Sequence, residues 1–208
     1  MSSQGVAIFG GSFDPIHRGH VQTAIDVQSY FQFEKIIFMP CGQPVFKSKT
    51  HASNSQRLDM LRLAINQQKN FEIDEREILR HGPSFTVETL EELRKDYPCN
   101  PLVWIMGEDA FANILQWHRH QELLLLANLL VLARPLTQKT QIKTILEQYH
   151  TSNPKDLKSF QHGKIYIYQH SNYPYSSTQI RNAISNHQTP IGLDLMVENY
   201  IQKNKLYR

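Results

Sequence analysis

The chain has 208 residues, 40% of them apolar and 20% charged, with a formal net charge of +3. That balance suits one packed domain, excludes a disordered chain and makes no case for a nucleic-acid binder. The most apolar segment, Leu123 to Ala133, is interrupted by Asn128 and falls short of the roughly 20 residues a membrane helix needs; no targeting signal is visible, and Cys41 and Cys99 lack metal spacing and read as reduced thiols, so a cytoplasmic protein is expected.

Strand and helix signals then alternate. Val6-Ala7-Ile8-Phe9 reads as a buried strand, followed by the glycine-bearing stretch Gly10 to His20 and a helix through Val21 to Val27. Lys35 to Pro40 is a second strand. Ser53 or Asn54 is placed to cap a helix running to about Gln68, whose Leu58, Leu61 and Ile65 recur at helical spacing. Phe71 to Ile73 is a short strand, Thr86 to Tyr97 a helix stopped by Pro98, and Leu102 to Met106 a strand ending at Gly107. Glu108 to Leu115 reads as a helix, with another short one near Glu122. Asn128 to Ala133 is a continuous apolar strand, Ile142 to Tyr149 a helix and Lys164 to Tyr168 the last strand. Two helices, near Thr178 to Ser185 and Leu193 to Gln202, close the pattern. Thr137 to Gln161 is the most polar part and is expected to be a mobile insertion.

Continuous apolar strands separated by amphipathic helices predict an α/β fold, a doubly wound parallel sheet with helices on both faces. Ligands in such sheets sit beyond the carboxyl ends of the strands. That places the chemistry at Gly10 to His20 and in the loops after Met39, Met106, Ala133 and Tyr168.

Gly10-Gly11-Ser12-Phe13-Asp14-Pro15-Ile16-His17-Arg18-Gly19-His20 is the densest stretch. A strand that opens through glycines into a helix offers backbone N–H groups and a partial positive charge to a phosphate. His17 and His20, three apart, share a face if the turn is helical, and each can donate to a phosphoryl oxygen. The glycine spacing is not the dinucleotide fingerprint, and no G-K-[ST] marks a Walker loop. Zinc binding would need a third clustered ligand that the sequence does not offer, and a plain turn has no need of so many Gly, Asp, Pro and His.

Other loops offer candidates with a bland reading beside each. Lys47 is a phosphate ligand or an ordinary surface lysine. Thr86 opens a helix, where an N-cap is the ordinary role. Asp109 can accept from ribose hydroxyls or simply favour a helix N-terminus. Trp117, among Gln116, His118 and Arg119, has poor company for a core and can stack on a cationic ring; Trp104, in an apolar strand, belongs to the core. Ser177, Thr178 and Arg181 form either a plain capped helix or a polyphosphate grip.

Gly11 to His20, with its His-x-Gly-His core, resembles the signature of the nucleotidylyltransferase superfamily. The duplicated glycine and His17 resemble the nicotinate-nucleotide adenylyltransferase branch; phosphopantetheine adenylyltransferases typically carry Thr at position 17. Pro83-Ser84-Phe85-Thr86 is similar to that family's Pro-Ser-Tyr-Thr, and Tyr175-Ser176-Ser177-Thr178-Gln179-Ile180-Arg181 is similar to its Ile-Ser-Ser-Thr-x-Ile-Arg. Gly107-Glu108-Asp109 and Ala133-Arg134-Pro135 also match. The departure is Pro44-Val45-Phe46 before Lys47, where the family usually has Pro-Pro-His. The resemblance runs from Ile8 to Tyr207.

It implies a Rossmann-like nucleotidylyltransferase domain over the whole chain that joins nicotinate mononucleotide to the AMP moiety of ATP, releasing pyrophosphate. ATP would lie on Gly10, Gly11, Ser12, Phe13, Gly19, Gly107, Asp109, Ser177 and Thr178. His17, His20 and Arg181 would carry catalysis, the histidines on the α- and β-phosphates, and Ser177 and Arg181 on the β- and γ-phosphates. Arg134 would lie near the triphosphate. Lys47, Thr86 and Trp117 would hold the mononucleotide, with Trp117 stacked on the nicotinate ring. Mg²⁺ would travel with ATP without a dedicated protein cage. No nucleic acid or membrane partner is expected. The alternatives are the same chemistry on nicotinamide mononucleotide, and a non-catalytic nucleotide sensor on this fold.

Overall fold

Among the described residues six strands pair in parallel: β1 (Val6–Gly11), β2 (Lys35–Pro40), β3 (Phe71–Ile73), β4 (Leu102–Gly107), β5 (Asn128–Ala133) and β6 (Ile165–Gln169), in the order β3-β2-β1-β4-β5-β6. The computed structural model describes residues 5–45, 50–133, 143–169 and 173–208. The candidates Lys47 and Arg134 lie outside the described residues. The strand order reverses between β1 and β4, so the crevice of this doubly wound sheet opens where β1 hands over to Gly11 and His17.

The helices are α1 (Arg18–Phe31), α2 (Asn54–Ile65), α3 (Arg76–Leu79), α4 (Thr86–Asp96), α5 (Glu108–Phe111), α6 (His120–Leu126), α7 (Lys143–Tyr149), α8 (Asp156–Ser159), α9 (Ser177–Ser185) and α10 (Leu195–Lys203), with a 3₁₀ turn at Ile114–Gln116. Successive strand residues point to opposite faces. Ala7, Phe9, Ile36, Phe38, Val103, Ile105, Leu130 and Leu132 pack one core with residues of α1, α2, α9 and α10. Val6, Ile8, Ile37, Met39, Leu102, Trp104, Met106, Leu129 and Val131 pack the other with α4 and α6. Two covered faces explain why the strands read as unbroken apolar runs. Among the described residues no helix is long and apolar enough to cross a membrane.

Three expectations change. The helix expected over 108–115 is interrupted: the Asn113 side-chain amide donates to the Asp109 carbonyl at 2.8 Å, and the Asn113 N–H turns back to Ala110 instead, at 3.1 Å. The helix at Thr86 has Phe85 at its cap position with no side-chain cap, so Thr86 is not an N-cap. The segment expected to be a mobile insertion is, in its described part, anchored to the sheet. Leu157 of α8 is fully buried, and the buried Asn128 of β5 donates to the Leu157 and Phe160 carbonyls at 3.2 and 2.7 Å. Asn128 also accepts from the Lys164 N–H at 2.9 Å, fixing the entry to β6. Elements as short as α3 and α8 carry too few residues to show a helical period.

Asn128 is therefore a polar rivet in an apolar strand. Asn128→Leu keeps the branched heavy-atom shape but removes three hydrogen bonds worth about 1 kcal/mol each. Urea unfolding is expected to show a loss of about 3 kcal/mol, with Leu157→Ala non-additive to it because both loosen the same segment.

Candidate active site

The turn after β1 is built by close approaches. A Cβ on Gly10 would stand 2.6 Å from the Trp104 ring, and one on Gly11 would stand 2.9 Å from the Phe13 ring. Phe13 adopts φ 46° and is 1% exposed, so its ring shapes the turn and only its backbone is left for a ligand. Ser12 is half-buried, and the Asp14–Pro15 peptide that follows it is cis.

His17 stands at the N-cap of α1 and His20 one turn in. Their rings stack at 3.7 Å between centroids, with Phe13 edge-on to His20 at 5.2 Å. Gly19 makes room for this pair, since a Cβ there would meet His17 Nδ1 at 3.0 Å. The His17 backbone N–H donates to His20 Nδ1 at 3.3 Å, so a neutral His20 carries its proton on Nε2. His17 is 7% exposed; burial lowers its pKa to about 4, despite a backbone hydrogen bond that acts the other way. His17 is thus uncharged at neutral pH, and its buried Nδ1 has no hydrogen-bond partner among the described residues. The helix mouth is less open than its sequence suggests. The Arg18 N–H is taken by the Gly192 carbonyl at 2.8 Å, and the His20 N–H by the His17 carbonyl at 3.0 Å.

The start of α9 meets this turn. Ser177 Oγ donates to the Pro15 carbonyl at 2.9 Å, and Arg181 Nη1 donates to the Asp14 carbonyl at 2.6 Å. Ser176 holds the cap position without a side-chain cap bond, so the hydroxyls here are not spent on capping. Thr178 lies exposed beside Arg181, whose Nη2 is 3.4 Å from its Oγ1. Two segments more than 160 residues apart, each a candidate phosphate grip, therefore share one loop.

The remaining rim candidates fall into two groups. Gly107 ends β4 and Asp109 follows it, and both are exposed; a Cβ on Gly107 would meet nothing within 4 Å, so packing does not demand glycine there. Thr86 and Trp117 are half-buried, and their neighbours touch: the Phe85 and His118 rings lie 4.3 Å apart. Ser84 ties this region to the loop after β2. Its Oγ accepts from the N–H groups of Gly42 and Gln43 at 3.1 and 3.3 Å, and its own N–H donates to the Gln43 carbonyl at 3.0 Å.

Comparison with known proteins fits this arrangement. The cytidylyltransferase-like family model matches residues 8–183. A protein of Legionella pneumophila (strain Lens) named "Probable nicotinate-nucleotide adenylyltransferase" is 38% identical over 208 residues, covering 98% of this chain and 99% of the relative. One of the same name from Psychromonas ingrahamii is 34% identical, over 100% of this chain and 99% of the relative. The chain belongs to the cytidylyltransferase-like family, among the nicotinate-nucleotide adenylyltransferases. A solved structure titled Plasmodium falciparum nicotinic acid mononucleotide adenylyltransferase complexed with NaAD shares the fold, with a TM-score of 0.75 at 19% identity over 97% of this chain and 96% of that one.

Three buried charged groups escaped the sequence reading, two of them holding the turn after β1. Asp14 is 4% exposed; its carboxylate accepts from the N–H groups of His51 and Ala52 at 2.7 and 3.1 Å and from the Tyr207 hydroxyl at 2.7 Å. Burial pushes this carboxyl up, but those hydrogen bonds and the nearby Arg181 charge outweigh it and hold the pKa below its ordinary value. Arg57 is fully buried, donating to the Ser12 and Cys41 carbonyls at 2.6 and 2.7 Å and to Asn54 Oδ1 at 2.7 Å. Glu77, 5% exposed, accepts from the Thr89 hydroxyl at 2.8 Å, and burial raises its pKa. Arg57 left one sequence signal: it shares a helix face with Leu61 and Ile65, an odd place for a charge.

The buried His17 predicts a pH dependence of folding. Its folded pKa is about 4 against 6.5 unfolded, so below pH 6.5 the unfolded chain takes up a proton the folded one refuses. Stability from this group is complete above pH 6.5 and falls by about 3 kcal/mol as pH drops to 4. Urea unfolding across that range is expected to show the slope, and His17→Asn to lack it.

Proposed function

We propose that this nicotinate-nucleotide adenylyltransferase uses the loop shared by α1 and α9 as its polyphosphate seat. The observation that carries this reading is the pair of hydrogen bonds from Ser177 and Arg181 to the Pro15 and Asp14 carbonyls, two and three residues before His17. They put a guanidinium and two imidazoles around one short stretch of backbone.

In the proposed reaction a 5′-phosphate oxygen of nicotinate mononucleotide attacks the α-phosphorus of ATP in line. The new P–O bond forms as the bond to the β-phosphate oxygen breaks, and pyrophosphate leaves with the electron pair. A phosphate dianion is already a competent nucleophile, so the enzyme supplies position and charge compensation and needs no general base. His20, its Nδ1 engaged by the His17 N–H, directs an Nε2–H donor at the α-phosphoryl oxygens. His17, kept neutral by burial, gives a second donor without importing a charge beside its stacked partner. Ser177 and Arg181 bind the β- and γ-phosphates. Gly10, Gly11, Ser12 and Gly19 let the backbone approach the nucleotide. Gly107 and Asp109 face the ATP sugar, where the open space over Gly107 leaves room for it. Thr86 and Trp117, joined through Phe85 and His118, hold the nicotinate ring, and Lys47 is assigned to the mononucleotide phosphate from sequence alone.

Mg²⁺ enters as part of the ATP substrate. The buried carboxylate nearest the turn, Asp14, is committed to two backbone N–H groups and a tyrosine hydroxyl, which leaves it poorly placed to bind a cation.

Pyrophosphate release measured with ATP and a panel of mononucleotides tests the reading. Nicotinate mononucleotide is expected to be preferred over nicotinamide mononucleotide, and His20→Ala to cut kcat by about 10²–10³-fold with an unchanged fold. ATP binding without pyrophosphate release from any mononucleotide would identify a nucleotide sensor instead, and near-normal turnover in His20→Ala would refute the mechanism.

A further inference from the structure

The C-terminal end of the chain curls back into the site just described. After α10, Lys205 and Tyr207 take φ 53° and 63°, and the Leu206 N–H donates to the Ile201 carbonyl at 3.1 Å. Leu206, 9% exposed, joins the core beside Val197 and Ile201 and anchors this end by packing. The Tyr207 hydroxyl then reaches across 193 positions of sequence to Asp14 Oδ1 at 2.7 Å.

Asp14 is the point where three parts of the chain meet. Its carboxylate takes the His51 and Ala52 N–H groups at the entry to α2 and the Tyr207 hydroxyl; its carbonyl takes Arg181 Nη1 at 2.6 Å. Arg181 is thus located by a carbonyl whose own residue is held by Tyr207. Burial and the adjacent carboxylate raise the Tyr207 pKa far above its ordinary value, so the hydroxyl remains a donor throughout the working range.

We propose that Tyr207 is a positioning residue for adenylyl transfer: by holding Asp14 it sets where the Arg181 guanidinium meets the ATP phosphates, without touching substrate itself. The inference rests on the proposed role of Arg181. The Tyr207 ring packs on the same core as Leu206, but its hydroxyl adds a directed bond to Asp14 that packing does not supply. Small displacements of a charged grip are costly to catalysis.

Tyr207→Phe keeps the ring and deletes the bond. It is expected to lower kcat/KM for ATP by about tenfold and to weaken the equilibrium Kd for ATP, with the KM for the mononucleotide within twofold. In an Arg181→Ala background the same change is expected to alter ATP affinity and turnover by less than twofold, since the group acted upon is gone. Asp14→Asn, which replaces one carboxylate oxygen by a donor, is expected to give the same ATP-specific loss and serves if Tyr207→Phe folds poorly. A purely structural role would leave kcat/KM untouched at temperatures where the variant is folded, or would give the same drop in both backgrounds; either result overturns the proposal. The ATP titration separates the two readings. Wild-type chain that binds ATP but releases no pyrophosphate refutes the functional reading while the Tyr207 effect on ATP affinity is still read, and wild-type chain that binds no ATP refutes both.

Discussion

The structure turns on a short run of backbone carbonyls at Asp14 and Pro15. Ser177 and Arg181 reach them from α9, and Arg57 reaches the Ser12 carbonyl from α2. Carbonyls in a turn have no ladder partners, and left buried they would each cost free energy. Here they are paired by side chains from distant helices. The same bonds that satisfy the turn therefore fix the relative placement of the first and ninth helices.

Electrostatics inside the turn are quiet by design of the packing. His17 is buried against Gly19 and His20 and stays uncharged, and Asp14 stays charged because N–H and O–H donors surround it. Positive charge near the seat is carried by the Arg181 and Arg57 guanidiniums. A seat of this kind meets a polyphosphate with donors already oriented, which lowers the reorganisation needed during transfer. Membership among the nicotinate-nucleotide adenylyltransferases agrees with such a task.

Much was legible from residue order. The two-sided sheet followed from unbroken apolar strands, and the glycines and histidines from residue 10 to 20 marked the candidate binding turn. What misled was local. Thr86 looked like a cap, but the helix begins on it. Residues 108–115 looked like one helix, but the Asn113 side chain captures the carbonyl that would have continued it. The polar stretch before β6 looked loose, but Asn128, hidden in a strand whose apolar neighbours drew attention away, secures it.

Sequence by itself determined the fold class, the strand-to-helix turn after β1 and the residue types able in principle to grip phosphate, because those depend on periodicity and on chemistry within a few neighbours. Tertiary structure alone decided that Arg181 rests on the Asp14 carbonyl, that His17 is neutral, and that Tyr207, Arg57 and Asp14 form the frame beneath the site. Those are contacts between segments 45 to 193 residues apart and consequences of burial, and neither distance in space nor exclusion of water is written in the order of the residues.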